Sequence, residues 1–390
     1  MFSENKNHID LPILLAVLTL MLLSLGIVYS ASASYAQYKY GRSEQMLISH
    51  AAKVFIGILG LFFFMRVDYQ LLRRFTKFAL IVAVIMLFVT FFLGGETKGA
   101  TRWLRYSSIG LQPSEFAKYA LLFHLSTLLA TKHEIIHEFK KGFIPLIFWI
   151  VLITILVIVQ PNFSMGTMIF LLSLIMLYVG NVRFKHLALT FVSLLPLIVI
   201  YLFSASYRYK RIMEFINGIS ASQGKLDYQP WQSIIGFGNG GIFGVGLGES
   251  KQRDFFLPES YGDFVFSIVG EEYGFIGTMF FMLLFLLIMY RGFKISKYSS
   301  DLFGKYLAIA ITSTITLYAL INAGVTLGIL PTTGLPMPFV SYGGSSMVFS
   351  ACAVGVLLNI SAQTDLHPRA KEIPIVGSVN SDETNLRKVY

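Results

Sequence analysis

Runs of apolar residues long enough to cross a hydrocarbon core of roughly 30 Å recur along the sequence. They fall at about 11–30, 48–65, 76–94, 113–131, 143–160, 163–181, 186–204, 263–290, 306–330 and 340–361. No soluble domain accommodates that many. Inside a bilayer the backbone must satisfy its own polar groups, so such runs fold as helices. An all-α integral membrane protein of about ten transmembrane helices is therefore expected, within a chain of 390 residues that is 55% hydrophobic and only 13% charged. The first run is followed by "SASASYA", which imitates a small-residue cleavage site. That run is longer than a signal-peptide core, and Lys6 is nearly the only positive charge before it, so it reads as a retained helix. The single Cys352 has no partner for a disulfide and no companions for a thiolate metal site.

Loop charge sets orientation. Alternating ten spans with the N-terminus inside puts 18 Lys and Arg residues on the inner face and 13 on the outer, which favours cytoplasmic termini. The outer charges concentrate in two loops, 95–118 and 206–253. An anionic ligand explains that grouping, as does lipid headgroup contact. The expected organisation is a cytoplasmic N-terminus at 1–10, one membrane domain at 11–362 with a large extracytoplasmic loop at 206–262, and a polar, disordered cytoplasmic tail at 363–390. In the large loop, "YRYKRIMEFINGI" places Ile212, Phe215 and Ile216 at helical spacing beside Arg208 and Arg211, the pattern of an interfacial helix. The following "IIGFGNGGIFGVGLGES" has neither the Gly-Lys-Ser/Thr nor the strand–helix context of a phosphate loop. It reads as a flexible or re-entrant segment.

Asp263, Glu271 and Glu272 lie in or beside the span at 263–290. A charged group near the bilayer centre costs roughly 2.5 to 3.5 kcal/mol on insertion scales, so such acids are paired, turned inward or functional. Asp263 at a helix start suits an N-cap as well as catalysis. Glu271 falls about two turns further along, near the same face; an interhelical hydrogen bond or salt bridge is the expected role for it and Glu272. Glu115 and Lys118, three apart on one helical face, suit a buried ion pair.

Four segments on the outer face carry the remaining chemistry: "GATRWLRYSSIGLQPSEFAKY", "QPNFSMGT", "GVGLGESKQRDFFLPESYGDFVFSIVGEEYGFIG" and "LPTTGLPMPFVSYGGSS". Together they resemble the signature segments of the SEDS family, the bacterial FtsW, RodA and SpoVE proteins, over nearly the whole membrane domain. "GVGLGESKQRDFFLPES" is most similar to the division-type branch, FtsW. The resemblance implies a peptidoglycan glycosyltransferase that polymerises lipid II into glycan strands at the outer face of the cytoplasmic (inner) membrane, at the division septum. It also implies release of undecaprenyl pyrophosphate, a class B penicillin-binding protein (an FtsI-like transpeptidase) and other divisome proteins as partners, and no nucleic acid. Carried over by position, Asp263 would be the catalytic base, with Arg102, Glu115, Lys118, Lys251, Ser341 and Gly343 as substrate-binding candidates and Arg105 as a weaker one. No cofactor is required by any motif. A divalent cation, Mg or Mn, is the one candidate, and it would rest partly on substrate oxygens because no carboxylate cluster has metal-ligand spacing. Two positions depart from the family: Asn162 where members often have Asp, and Thr333 where many division-type members have Lys. A lipid II flippase and a non-catalytic scaffold for the penicillin-binding protein are the competing functions. A translocation path would spread ionisable residues near mid-membrane over several helices, whereas here they gather at the outer ends, with Glu271 and Glu272 the main exceptions.

Overall fold

The computed structural model describes residues 9–93, 95–97, 100–106, 109–190 and 228–364, together with 192, 203, 209, 213 and 215. The expected seventh span, the interfacial helix around Ile212 and the tail lie largely outside the described residues. Every other expected span coincides with a helix. These are α1 (Leu11–Tyr40), α2 (Gln45–Arg66), α3 (Tyr69–Leu93), α4 (Pro113–Thr131), α5 (Ile144–Val159), α6 (Phe163–Val179), α8 (Val265–Tyr298), α9 (Leu302–Thr326) and α10 (Ser345–Ala362). A shorter helix, α7 (Tyr228–Gly240), precedes the glycine-rich segment. Among the described residues, seven helices are long and apolar enough to cross a membrane. The chain is a helical integral membrane protein.

Local chemistry fixes the helix ends. Asp10 caps α1 by accepting from Ile13 N, Pro12 sits in the first turn, and Gly41 closes the helix in the left-handed region at φ 69°, where a side chain would be strained. Asp301 caps α9 through Phe303 N and Gly304 N. The helices pack as two bodies. One joins α1, α2, α8 and α10, the other α3 to α6, and α9 contributes to both cores. With 83% of its apolar window buried, α9 is the central post, whereas α2 and α3, at 22% and 28%, present their apolar faces outward to lipid.

One small sheet accompanies the helices. Residues 95–111 form a three-stranded antiparallel sheet of β1 (Gly95–Thr97), β2 (Ala100–Tyr106) and β3 (Ile109–Leu111). Thr101, Trp103 and Tyr106 are β-favouring, and β3 pairs antiparallel with β2, Arg105 opposite Gly110.

At one end of the bundle, Arg291 clasps Asp10 (Nη2 to Oδ2 2.7 Å) and Asp10 N donates to Ser361 Oγ at 3.0 Å, joining α8, α1 and α10. Tyr69 N donates to Asn359 Oδ1 at 2.9 Å and its hydroxyl to Asp301 at the same end. The sheet, the α5–α6 turn, the glycine-rich segment and the loop at 331–344 all lie at the other end.

Candidate active site

The glycine-rich segment is docked rather than flexible. Helix α8 is broken at Gly274, whose φ of 66° and ψ of −163° leave the helical region. The break frees backbone groups that would be unsatisfied in an apolar interior. The segment after α7 satisfies them. Val245 N and Gly246 N donate to Glu271 O and Glu272 O at 3.0 and 3.1 Å, while Phe275 N and Ile276 N donate to Gly241 O and Ile242 O at 2.9 and 3.2 Å. The approach is so close that a Cβ on Gly274 would lie 2.3 Å from Gly244 N.

Glu271 and Glu272, both fully buried, hold the same segment through side chains. Glu271 accepts from Ser250 Oγ, from Gln252 N at 3.2 Å and from Asn239 Nδ2 at 3.2 Å. Glu272 accepts from Gly248 N at 3.1 Å and from Ser30 Oγ, which itself receives Arg253 Nη1 at 3.1 Å. These acids are internal hydrogen-bond hubs joining α1, α8 and the loop, as their position suggested.

On this base stands Asp263. It lies in the turn before α8, partly exposed. The N-cap of α8 is Phe264, with no side-chain cap hydrogen bond, so Asp263 stands one residue ahead of the cap position. Opposite it is Gly334, at φ 70°, where an added Cβ would lie 3.2 Å from Asp263 Oδ2. The backbone of the 331–344 loop thus flanks the carboxylate where any larger residue would crowd it. Asn322, 1% exposed on α9, fixes both pieces. Its Nδ2 donates to Asp263 O and to Leu335 O, each at 2.8 Å. Sequence reasoning passed over Asn322. Its signal was a lone amide within an apolar run, less conspicuous than a charge.

Aromatic residues extend the floor toward α1 and α2. Tyr342 N donates to Tyr261 O at 2.8 Å, their rings meet edge to face at 5.8 Å, and Tyr35 packs on Tyr261 at 5.3 Å. Burial, helped by the Glu259 carboxylate, pushes the Tyr261 phenol well above its ordinary range. Lys53, on α2, holds its ammonium 4.2 Å from the Tyr342 ring centroid, a favourable placement for a cation. It too escaped the sequence-based candidates.

The remaining candidates fall in four places. Glu115 and Lys118 form an ion pair at 2.8 Å with exposures of 2% and 1%. The ammonium lies 4.2 Å from the Tyr318 ring and 4.8 Å from the Tyr119 ring, so the pair ties α4 to α9 from within. Ser341 is buried, its Oγ accepting from Met337 N at 2.8 Å, which closes the loop turn; Gly343 is buried beside it. The backbone of Arg102 and Arg105 runs in β2, and roles resting on their side chains lie outside the described residues. Strand β2 is nonetheless docked on this end. Trp103 lies against Gly344, 3.1 Å from where a Cβ would stand, and Gln112 N donates to Ser345 Oγ at 3.0 Å. Lys251 is exposed on the loop rim. Asn162 and Thr333, the two departures, also stand at this end; Asn162 is the N-cap residue of α6, without a side-chain cap.

Among the described residues no three His, Cys, Asp or Glu side chains come together to hold a metal ion. A divalent cation here would rest largely on substrate oxygens. The arrangement sets the partly exposed Asp263 carboxylate on a backbone-clamped platform, with the hairpin backbone and aromatic groups at the same end. That suits proton abstraction next to an anionic substrate.

The family profile of FtsW, RodA and SpoVE, described as "Cell cycle protein", matches residues 11–366. Stage V sporulation protein E of Bacillus subtilis is 37% identical over 92% of this chain and 98% of its own length. A protein of Trichlorobacter lovleyi named "Probable peptidoglycan glycosyltransferase FtsW" is also 37% identical, over 92% of this chain and 94% of its own. Two solved structures share the fold. One is a chain of the structure named "Structural coordination of polymerization and crosslinking by a peptidoglycan synthase complex", with TM-score 0.73 and 21% identity over 93% of this chain and 99% of that one. The other is the rod shape determining protein RodA of Thermus thermophilus, with TM-score 0.67 and 20% identity over 93% and 98%.

Proposed function

The chain belongs to the FtsW, RodA and SpoVE family, and from that premise we propose that it is a peptidoglycan glycosyltransferase, polymerising lipid II at the outer face of the bacterial cytoplasmic membrane during septal wall synthesis. The observation that carries this reading is the placement of Asp263. It is a partly exposed acid between the Gly334 backbone and the start of α8, held by Asn322 at the end of the bundle where the family's signature segments converge.

In the reaction, the 4-hydroxyl of the acceptor sugar gives its proton to the Asp263 carboxylate as its oxygen attacks C1 of the donor muramoyl unit. The bond from C1 to the pyrophosphate oxygen breaks, and undecaprenyl pyrophosphate leaves with the electron pair. A positioned base contributes roughly 10² to 10⁴-fold. Arg102 on the docked hairpin and Lys251 on the rim are the cations assigned to the pyrophosphate. Glu115 and Lys118 act from behind by fixing α4 against α9. The carboxylates of Glu115, Glu271 and Glu272 all have internal partners, which supports chemistry at the bundle end over a charge-lined translocation path. A class B penicillin-binding protein supplies the crosslinking step, and both termini lie in the cytoplasm.

The test is Asp263→Asn in purified protein given labelled lipid II, with and without the class B partner. The expected product is a folded protein that still binds its partner and polymerises at least about 100-fold more slowly, the lower end of base catalysis. Glycan strands made at near the parental rate would show that Asp263 is not the base.

A further inference from the structure

At the end of the bundle remote from Asp263, α6, α8 and α9 part to leave a hollow of about 510 Å³, within the range of small-ligand sites. Its walls are apolar, from Ile175 and Val179 on α6 and Ile309 on α9, and Lys297 and Lys305 stand at its mouth. We propose that this hollow binds the headgroup of an anionic phospholipid.

Four observations support it. First, among the described residues neither lysine ammonium has a carboxylate partner; Lys297 lies near only the Tyr298 ring, 5.6 Å from its centroid. The nearby carboxylate of Asp301 is already taken by Tyr69 and the first turn of α9. Second, the hydroxyls of Ser296 and Ser313 line the hollow without a hydrogen-bond partner among the described residues. On the same helix Thr314 and Thr316 do bond back, to Ala310 O at 2.7 Å and Thr312 O at 2.8 Å. Ser313 is eight residues beyond Lys305, about 12 Å along the helix, so acceptors are wanted from the lysine level inward, as a phosphate with its glycerol esters would supply. Third, Tyr178 and Phe293 flank the hollow with exposures of 69% and 42%, so it opens sideways into the bilayer and not into water alone. Fourth, two unpaired ammonium groups repel the cation of a zwitterionic headgroup and attract one with net negative charge; basic pockets between membrane helices commonly serve such lipids.

The full-length protein, purified in neutral detergent, is titrated with phosphatidylglycerol or phosphatidylcholine of identical acyl chains, and lipid adducts are counted by native mass spectrometry. Phosphatidylglycerol should bind preferentially. Lys297→Gln and Lys305→Gln should each weaken it roughly fivefold, the equivalent of about 1 kcal/mol per basic residue. Lys140→Gln, an exposed lysine outside the hollow, should leave the preference intact, and millimolar inorganic phosphate should not displace the lipid. Equal binding of the two lipids, an unchanged preference in the double glutamine variant, an equal loss with Lys140→Gln, or displacement by free phosphate would each overturn the proposal. Both lysines are partly or fully exposed, so the variants should fold, and their melting temperatures in detergent check that they do.

Discussion

Removing the Asn322 side chain tests whether the acid is held from behind. In Asn322→Ala two hydrogen bonds at 2.8 Å disappear and the carbonyls of Asp263 and Leu335 lose a buried donor. A neutral hydrogen bond contributes about 0.5 to 1.5 kcal/mol net, and an abandoned buried acceptor costs about 1 to 3 kcal/mol. Because a carbonyl can find a second donor or a water, the lower part of that range applies, and a loss of roughly 2 to 4 kcal/mol is expected. Since α9 is anchored in both cores, the loss should appear as loosening of the two loops it ties and not as collapse of the bundle. If about 1.4 kcal/mol of it falls on the alignment of Asp263, polymerisation drops about tenfold. Asn322→Asp keeps the shape but turns an acceptor toward two acceptors, and should be at least as slow. Lipid II polymerisation, measured beside hydrogen exchange of 257–264 and 331–340, decides it. The expectation is slower synthesis with faster exchange in both segments and an unchanged melting profile of the remaining helices. Polymerisation within twofold of the parent, with exchange unaltered, would refute the reasoning.

Glu115→Gln leaves the Lys118 ammonium buried at 1% exposure without its counter-charge, a change that costs about 3 to 5 kcal/mol; thermal unfolding in detergent should show the loss, and the double variant Glu115→Gln, Lys118→Met should recover most of it. Gly274→Ala places a Cβ 2.3 Å from Gly244 N at a residue with φ 66°, so its melting temperature and its activity should fall together, whereas Gly26→Ala, which meets nothing within 4 Å, should leave both near the parental values. Cysteines introduced at Lys98 and Lys225 should react with an impermeant thiol reagent in intact spheroplasts and those at Lys140 and Lys297 should not; labelling at 140 without labelling at 225 would reverse the orientation.

The helices were legible because a bilayer leaves an apolar run of that length few alternatives. The short sheet was not, since β1 and β3 have three residues each, too few for a period of two to declare itself. Within the site the visible part was chemistry borne by charge: Asp263, the pair Glu115 and Lys118, and the two inward glutamates. What stayed hidden was made by backbone. The break at Gly274 and its repair by residues 241–246 join main-chain groups some thirty positions apart, and no side-chain pattern records such a pairing. The glycines disclosed only that the segment could approach something closely. Likewise nothing local marks Asn322 as the side chain that reaches both Asp263 and Leu335; that relation exists only once α9 is central.

The repaired break in α8 bears on how the protein is made. A helix interrupted at Gly274 cannot be left in hydrocarbon with its freed carbonyls and amides bare, since each unsatisfied group there costs several kcal/mol. The strip that satisfies them precedes it in the chain, so a ribosome delivers residues 241–246 before the interruption leaves the exit tunnel. Synthesis from the N-terminus therefore has the mate waiting when the vulnerable turn arrives. A circular permutant opened between the two would reverse that order and expose the defect to lipid during insertion, although the finished contacts would be the same.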